Sequence, residues 1–142
     1  MHDLLINFYN DGTRDDKIAF KSFFHSEGLI NQHKIPEAIQ SLEKINEIHS
    51  DALITPLSNL RLAILLVEFE QYDKALKTIL SIENSPLKDQ ALALAGEIEE
   101  QFLGNTDNAL KYYYQLLSEC ESSLLVEPIR LHIRKLSKPN ES

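Results

Sequence analysis

Residues 56–86 contain two apolar runs that are separated by only two polar residues, Glu70 and Gln71. The second run repeats at positions i, i+3, i+4 and i+7, which places one apolar stripe on a helix. The first run, residues 57–69, is apolar almost all round, as in a helix that is contacted on several sides. Two residues allow only a tight helical hairpin between the runs. Because such a hairpin cannot bury its own apolar face, the sequence predicts further copies of it.

Three alanines indicate where these copies lie. Ala38, Ala75 and Ala109 each stand early in a predicted second helix, with separations of 37 and 34 residues. A further echo joins residues 49–62 to residues 121–134, which share Ser-x-x-Leu-[Ile/Val]-x-Pro-[Leu/Ile]. The sequence therefore predicts an all-α chain with one domain, residues 1–137. Its parts would be hairpins at about 15–49, 56–84 and 86–120, a capping helix at 122–137, and a disordered tail at 138–142.

Local signals predict how these elements begin and end. Residues 3–10 form a short apolar segment before a turn. Gly104 is expected at a left-handed C-terminal cap, and Ser85-Pro86 at the N-cap and first position of the next helix. Residues 49–55 are predicted to be the loosest connection in the chain.

Composition excludes several classes of protein. The 142 residues suffice for one domain, and a net charge of −8 disfavours nucleic-acid binding, which needs clustered Lys and Arg. The single cysteine, Cys120, excludes an internal disulfide. No apolar run approaches the ~20 residues of a membrane span, and no signal peptide is recognised. We expect a cytoplasmic protein if the chain is complete, and a periplasmic or envelope protein if it is a fragment.

Candidate chemical groups do not converge into a site. His25 and Glu27 are two residues apart and point to different sides of a helix, whereas a zinc site needs convergent ligands. Cys120 lies on an apolar stripe and is expected to be buried and inert. The sequence Tyr112-Tyr113-Tyr114 is interpreted as one core residue between two flanking ones. We therefore predict no catalytic residue, no metal and no cofactor.

The 34-residue period, the alanine early in each second helix and the proline between units resemble the tetratricopeptide repeat (TPR). EQYDKAL (70–76) is similar to the family's turn, and Ala95-Gly96 and Ala63 to its small first-helix residues. The resemblance covers residues 19–136, and the Ser-x-x-Leu-x-x-Pro leader is similar to that of bacterial envelope-assembly TPR proteins. Two departures stand out: Ser26 holds a Gly/Ala place, and the third unit has one extra turn residue.

The resemblance implies a right-handed solenoid of about three helical hairpins and a C-terminal capping helix. Its first helices would line a concave groove for a protein or peptide with apolar and basic residues. Glu27, Glu68 and Glu97 would form an acidic rim, and Arg61 is the only cation, which argues against the family's carboxylate clamp. The groove residues would be Phe20, Phe23, Glu27, Asn31, Leu60, Arg61, Ile64, Glu68, Ala93, Glu97 and Gln101.

Two functional hypotheses follow. The first is a non-catalytic interaction module that holds its partner in the groove. The second is the C-terminal capping part of a longer helical repeat protein that binds its ligand elsewhere. The sequence does not identify the partner, the compartment or the oligomeric state.

Overall fold

The structure is a computed structural model that describes residues 13–137. These residues form helices and contain no strand. A π-helical segment, Ile98–Phe102, extends the fifth helix. The predicted apolar segment 3–10 and the predicted tail 138–142 lie outside the described residues. The helices are α1 (Arg14–Asn31), α2 (Ile35–Ile48), α3 (Thr55–Glu68), α4 (Tyr72–Leu80), α5 (Lys88–Glu97), α6 (Thr106–Glu119) and α7 (Val126–Leu136).

Internal contacts divide the chain into two compact units, Met1–Gln71 and Tyr72–Ser142. The boundary falls within the predicted second hairpin, and the single domain of residues 1–137 stays a prediction. Within the first unit, α2 packs against both α1 and α3. Within the second, α6 packs against both α5 and α7. The helices of each unit therefore bury their apolar stripes against neighbours, as the helical periodicity predicts.

Each hairpin turn contains one residue in the left-handed backbone region. His33 and Glu70 have φ of 60°, and Gly104 has φ of 65°, as predicted for a left-handed cap. Backbone bonds from Lys34 N to Leu29 O (2.8 Å) and from Gln71 N to Leu66 O (2.9 Å) close the first two turns. The fully buried alanine of the next helix, Ala38, Ala75 or Ala109, stands five residues after the left-handed residue each time. The turn therefore sets the register of the second helix.

The first helix begins with a capping box. The Asp16 amide donates to the Thr13 hydroxyl (3.1 Å), and the Thr13 amide donates to the Asp16 carboxylate (2.9 Å). The same carboxylate accepts the Leu53 amide at 2.8 Å, and Asp15 contacts His49 at 2.5 Å. Side chains from the start of α1 therefore hold the linker at 49–55 in place, and the prediction that it is the loosest connection in the chain stays a prediction.

The two linkers between hairpins and the linker before α7 share a pair of consecutive turns. In each one, two backbone amides donate to the carbonyl three residues earlier, and the next helix begins where the second turn closes. The predicted start of α5 at Ser85-Pro86 is therefore wrong: the helix begins at Lys88, and the Ser85 hydroxyl accepts the Leu87 amide at 3.1 Å inside the linker. The carbonyl, middle and closing residues are His49, Ala52 and Thr55; Ile82, Ser85 and Lys88; and Cys120, Ser123 and Val126.

The extra residue of the third unit lies in the helix and not in the turn. The stretch from the start of α5 at Lys88 to the left-handed Gly104 is one residue longer than the stretch from the start of α3 at Thr55 to the left-handed Glu70. Leu103 N donates to Ile98 O at 3.1 Å, which is the i→i−5 bond of a π turn. The π segment absorbs the insertion, so that Ala109 keeps its distance from Gly104.

The last helix packs against the third hairpin through one face. Val126 clusters with Leu92 and Leu116, and Ile133 clusters with Ala109 and Tyr113. Arg134 stands eight residues after the residue that closes its linker, Val126. Ala63 and Gly96 stand equally far after the closing residues of their linkers, so Arg134 in α7 corresponds to Ala63 in α3 and Gly96 in α5. Arg134 is exposed, whereas the two small residues are buried.

Backbone strain at His33 gives a first test of the fold. His33→Gly should raise the free energy of unfolding by about 0.5–1 kcal/mol. The left-handed conformation costs a non-glycine residue about 1–2 kcal/mol, and glycine removes this cost. Part of the gain is offset because glycine loses more conformational entropy on folding. Gly104→Ala should lower it by about 1 kcal/mol. Urea titrations measure both. The matched control is Gln32→Gly at φ −88°, which should destabilise; a stabilisation equal to that of His33→Gly would contradict the argument.

The cap at Asp16 predicts a pH dependence. The Leu53 amide, followed by the Thr13 amide, holds the pKa of Asp16 below its usual range. The charged carboxylate therefore stabilises the fold above its unfolded pKa of about 4, and this contribution is lost as the pH falls through the lower folded pKa. Asp16→Asn should cost about 1 kcal/mol or less at pH 7, since the carboxylate is largely solvated.

Urea titrations of wild type and variant at several pH values measure this cost. The two should converge once the pH falls below the lowered folded pKa of Asp16, where both side chains are uncharged. Asp51→Asn, an exposed change of equal charge in the linker, is the control. A cost for Asp16→Asn that is constant from neutral to strongly acidic pH would show that charge at the cap is not its cause.

Candidate functional site

The residues predicted to line a groove lie on the first helices of the hairpins. In the first unit, Phe20, Phe23, Glu27 and Asn31 lie on α1, and Leu60, Arg61, Ile64 and Glu68 lie on α3. In the second unit, Ala93 and Glu97 lie on α5, and Gln101 lies in the π segment. The candidate surface of each unit is thus the side of its first helices that carries these residues.

An ion pair joins the two first helices of the first unit. Arg61 donates from Nε to Glu27 Oε1 at 2.9 Å and from Nη2 to Oε2 at 3.5 Å. The two side chains are 35% and 30% exposed. The cation expected on this surface is therefore already paired with one of the three acids predicted to form its rim.

The other predicted residues of the first unit differ in accessibility. Phe23 and Leu60 are each only 7% exposed, so they belong to the core beneath this surface and are covered from solvent. Phe20 and Ile64 are half-buried, and Asn31 and Glu68 are exposed. Helical spacing indicates that residues share a side, but only the packing of neighbouring helices decides how far each side chain is covered. In the second unit, Glu97 and Gln101 are exposed, as a contact role requires.

A hydrogen-bonded cluster in the second unit was not predicted from the sequence. The Tyr113 hydroxyl donates to Glu100 Oε1 at 2.9 Å, and His132 Nε2 lies 2.7 Å from the same oxygen. Burial, followed by the Glu100 contact, raises the pKa of Tyr113. The available signal is the repeat period: Glu100 and His132 are 32 residues apart, close to one repeat, so they fall on consecutive first helices.

The Tyr113 ring also explains a small residue that the sequence singles out. A Cβ atom at Gly96 would lie 2.2 Å from Tyr113 Cε1, far inside van der Waals contact. The ring packs edge-on to His132, with centroids 5.5 Å apart. Gly96 is therefore required by the close approach of α5 and α6, in agreement with its assignment as part of a small pair.

A polar depression of about 360 Å³ lies beside the linkers of the second unit, with Cys120 in its lining. Lys88 Nζ donates to Glu119 at 2.8 Å, and the Ser123 hydroxyl donates to Asp89 at 2.6 Å. Burial raises the pKa of the half-buried Cys120 thiol, which favours its unreactive protonated form. These polar groups bond to each other and hold helices together.

Metal ligands do not converge in the described part of the chain. No group of three or more His, Cys, Asp or Glu side chains among residues 13–137 is arranged to hold a metal ion. Over the same residues, no helix has both the length and the apolar composition needed to cross a membrane.

Comparison with known proteins decides the family. A model of the tetratricopeptide repeat-like domain matches residues 16–138. The chain belongs to the tetratricopeptide repeat-like domain family. This match and the helical structure confirm the predicted TPR resemblance and the all-α helical-repeat fold. The resemblance of the leader to envelope-assembly TPR proteins stays a prediction. No curated protein and no solved structure matches the chain.

The contact between Gly96 and Tyr113 can be tested in this TPR-like chain. Gly96→Ala should destabilise the protein by about 2–3 kcal/mol, because the added methyl group overpacks the crossing of α5 and α6. Leu42 and Ile79 hold the place of Tyr113 in the other hairpins, four residues after the buried alanine. In a Tyr113→Leu background, Gly96→Ala should therefore cost much less. Thermal melts of the four proteins form a double-mutant cycle, and additive costs would show that the ring is not the obstacle.

Proposed function

We propose that this TPR-like chain is a non-catalytic interaction module that binds a peptide or protein segment through the faces of its first helices. Its family is generally non-catalytic and typically serves protein interaction. The observation that carries the proposal is the surface of the first unit. There Phe20 on α1 and Ile64 on α3 are half-buried, while Asn31 and Glu68 on the same two helices are exposed. Apolar side chains that are partly accessible within a polar rim are typical of a binding face.

Charge indicates the kind of partner. The Glu27–Arg61 pair contributes no net charge, so Glu68 leaves this surface of the first unit acidic. Glu97 makes the corresponding face of the second unit acidic as well. A helix or extended segment with apolar anchors and some Lys or Arg complements both faces. The apolar contacts would supply affinity, and the acids would set orientation and association rate.

A second function is favoured by one residue. In the third hairpin the second helix packs closely against a first helix that carries the small residue Gly96, and α7 carries Arg134 at that place. This favours a capping role for α7, in which the chain closes a longer helical repeat array that binds its ligand elsewhere. The two functions differ in whether the first-helix faces contact the partner.

The test uses a partner recovered by pull-down from the native lysate. Glu68→Lys and Glu97→Lys, separately and together, should each weaken binding of that partner about threefold to tenfold at low salt. Their melts should stay close to wild type, because exposed charges contribute little to stability. Glu47→Lys, an exposed site on α2, is the control. Unchanged affinity and association rate in the double variant would reject the first-helix faces and favour the capping role.

A further inference from the structure

The ion pair on the first unit uses the side-on fork of an arginine. Arg61 contacts both oxygens of Glu27, one from Nε at 2.9 Å and one from Nη2 at 3.5 Å. This fork is the geometry with which arginine recognises a carboxylate in two-point contact. Glu27 thus holds its carboxylate where a carboxylate of a partner would be bound.

The pair also lies within the proposed binding surface. Asn31 follows Glu27 by one helical turn, and Ile64 and Glu68 follow Arg61 by about one and two turns. In the second unit, by contrast, the acid that links the first helices is tied to the core, since Glu100 accepts the buried Tyr113 hydroxyl. The Glu27–Arg61 pair is about one third exposed, so a partner on this surface could reach it.

We propose that Glu27 is a specificity-determining residue that occupies the carboxylate-binding fork of Arg61 and thereby excludes acidic partners from the first-helix surface. The proposal rests on the proposed function, because it concerns the same surface. It assigns to Glu27 the task of rejecting a class of partner, whereas Glu68 attracts the class that binds.

The physical argument is a comparison of two partners. An acidic segment that reaches Arg61 must displace Glu27, which leaves the Glu27 carboxylate unpaired next to a second negative charge. A basic segment leaves the pair intact and finds Glu68 on the same side of α3. The pair therefore penalises acidic partners and costs basic partners little.

A purely structural role of the pair is the competing explanation. An ion pair at this exposure stabilises a fold only slightly, and its removal would then lower the melting temperature by a small amount without changing which peptides bind. The measurement that distinguishes the two explanations is selectivity between probes of opposite charge, because a purely structural role of the pair would leave that selectivity unchanged.

The experiment uses two labelled amphipathic peptides of about 15 residues with identical leucine positions, one with Lys and one with Glu on the polar face. Fluorescence anisotropy should show tighter binding of the Lys probe to wild type. Glu27→Gln, and independently Glu27→Ala, should tighten binding of the Glu probe about tenfold. Adding Arg61→Gln to either variant should abolish this gain, because it removes the fork.

The control is Glu47→Gln, which makes the same charge change on α2 and should leave the ratio of the two affinities unchanged. If both probes bind wild type but neither Glu27 variant changes that ratio, the exclusion role is wrong and the binding surface stands. If neither probe binds any variant, or Glu68→Lys leaves binding of the Lys probe unchanged, the proposed function fails and the exclusion role fails with it.

Discussion

The close approach of first and second helices is the constraint on which the first and third hairpins depend. Gly96 leaves no room for a methyl group beside the Tyr113 ring, and Ser26 and Ala63 are fully buried at the same place in the earlier first helices. The left-handed turn residue then delivers a buried alanine five residues later. Small residues on both sides of the crossing bring the backbones together, and this contact determines which side chains remain outside.

Much of the fold was predictable because it depends on local pattern. Helical periodicity located the helices, and the spacing of Ala38, Ala75 and Ala109 located the hairpins. Local pattern does not show the features that distant residues decide. Asp15 and Asp16 hold the linker at 49–55, although nothing local in that linker indicates order. The extra residue of the third unit forms a π turn. The spacing from the left-handed turn residue to the buried alanine is the same in every hairpin, whereas the length of the first helix can vary.

The candidate surface was predictable as a set of positions and not as a set of contacts. Spacing along α1 and α3 groups the candidate residues on one side of each helix, but it cannot show that Phe23 is covered while Phe20 is partly open. Nor does it show that Arg61 is already paired. The Glu27–Arg61 ion pair and the Glu100–His132 contact both cross between first helices, and they join residues 34 and 32 positions apart, about one repeat. Comparing charges at the repeat period would have found them.

The Glu27–Arg61 ion pair separates the origin of stability from the origin of selectivity. Buried apolar side chains and small-residue crossings supply the free energy of folding, and a pair that is one third exposed adds little to it. Its charges can therefore change with little cost to the fold. In a binding surface the same pair has a larger effect, because a partner removes water from it and strengthens every interaction that its charges make. The Glu27–Arg61 pair is thus more important for the choice of partner than for the stability of the hairpins that present it.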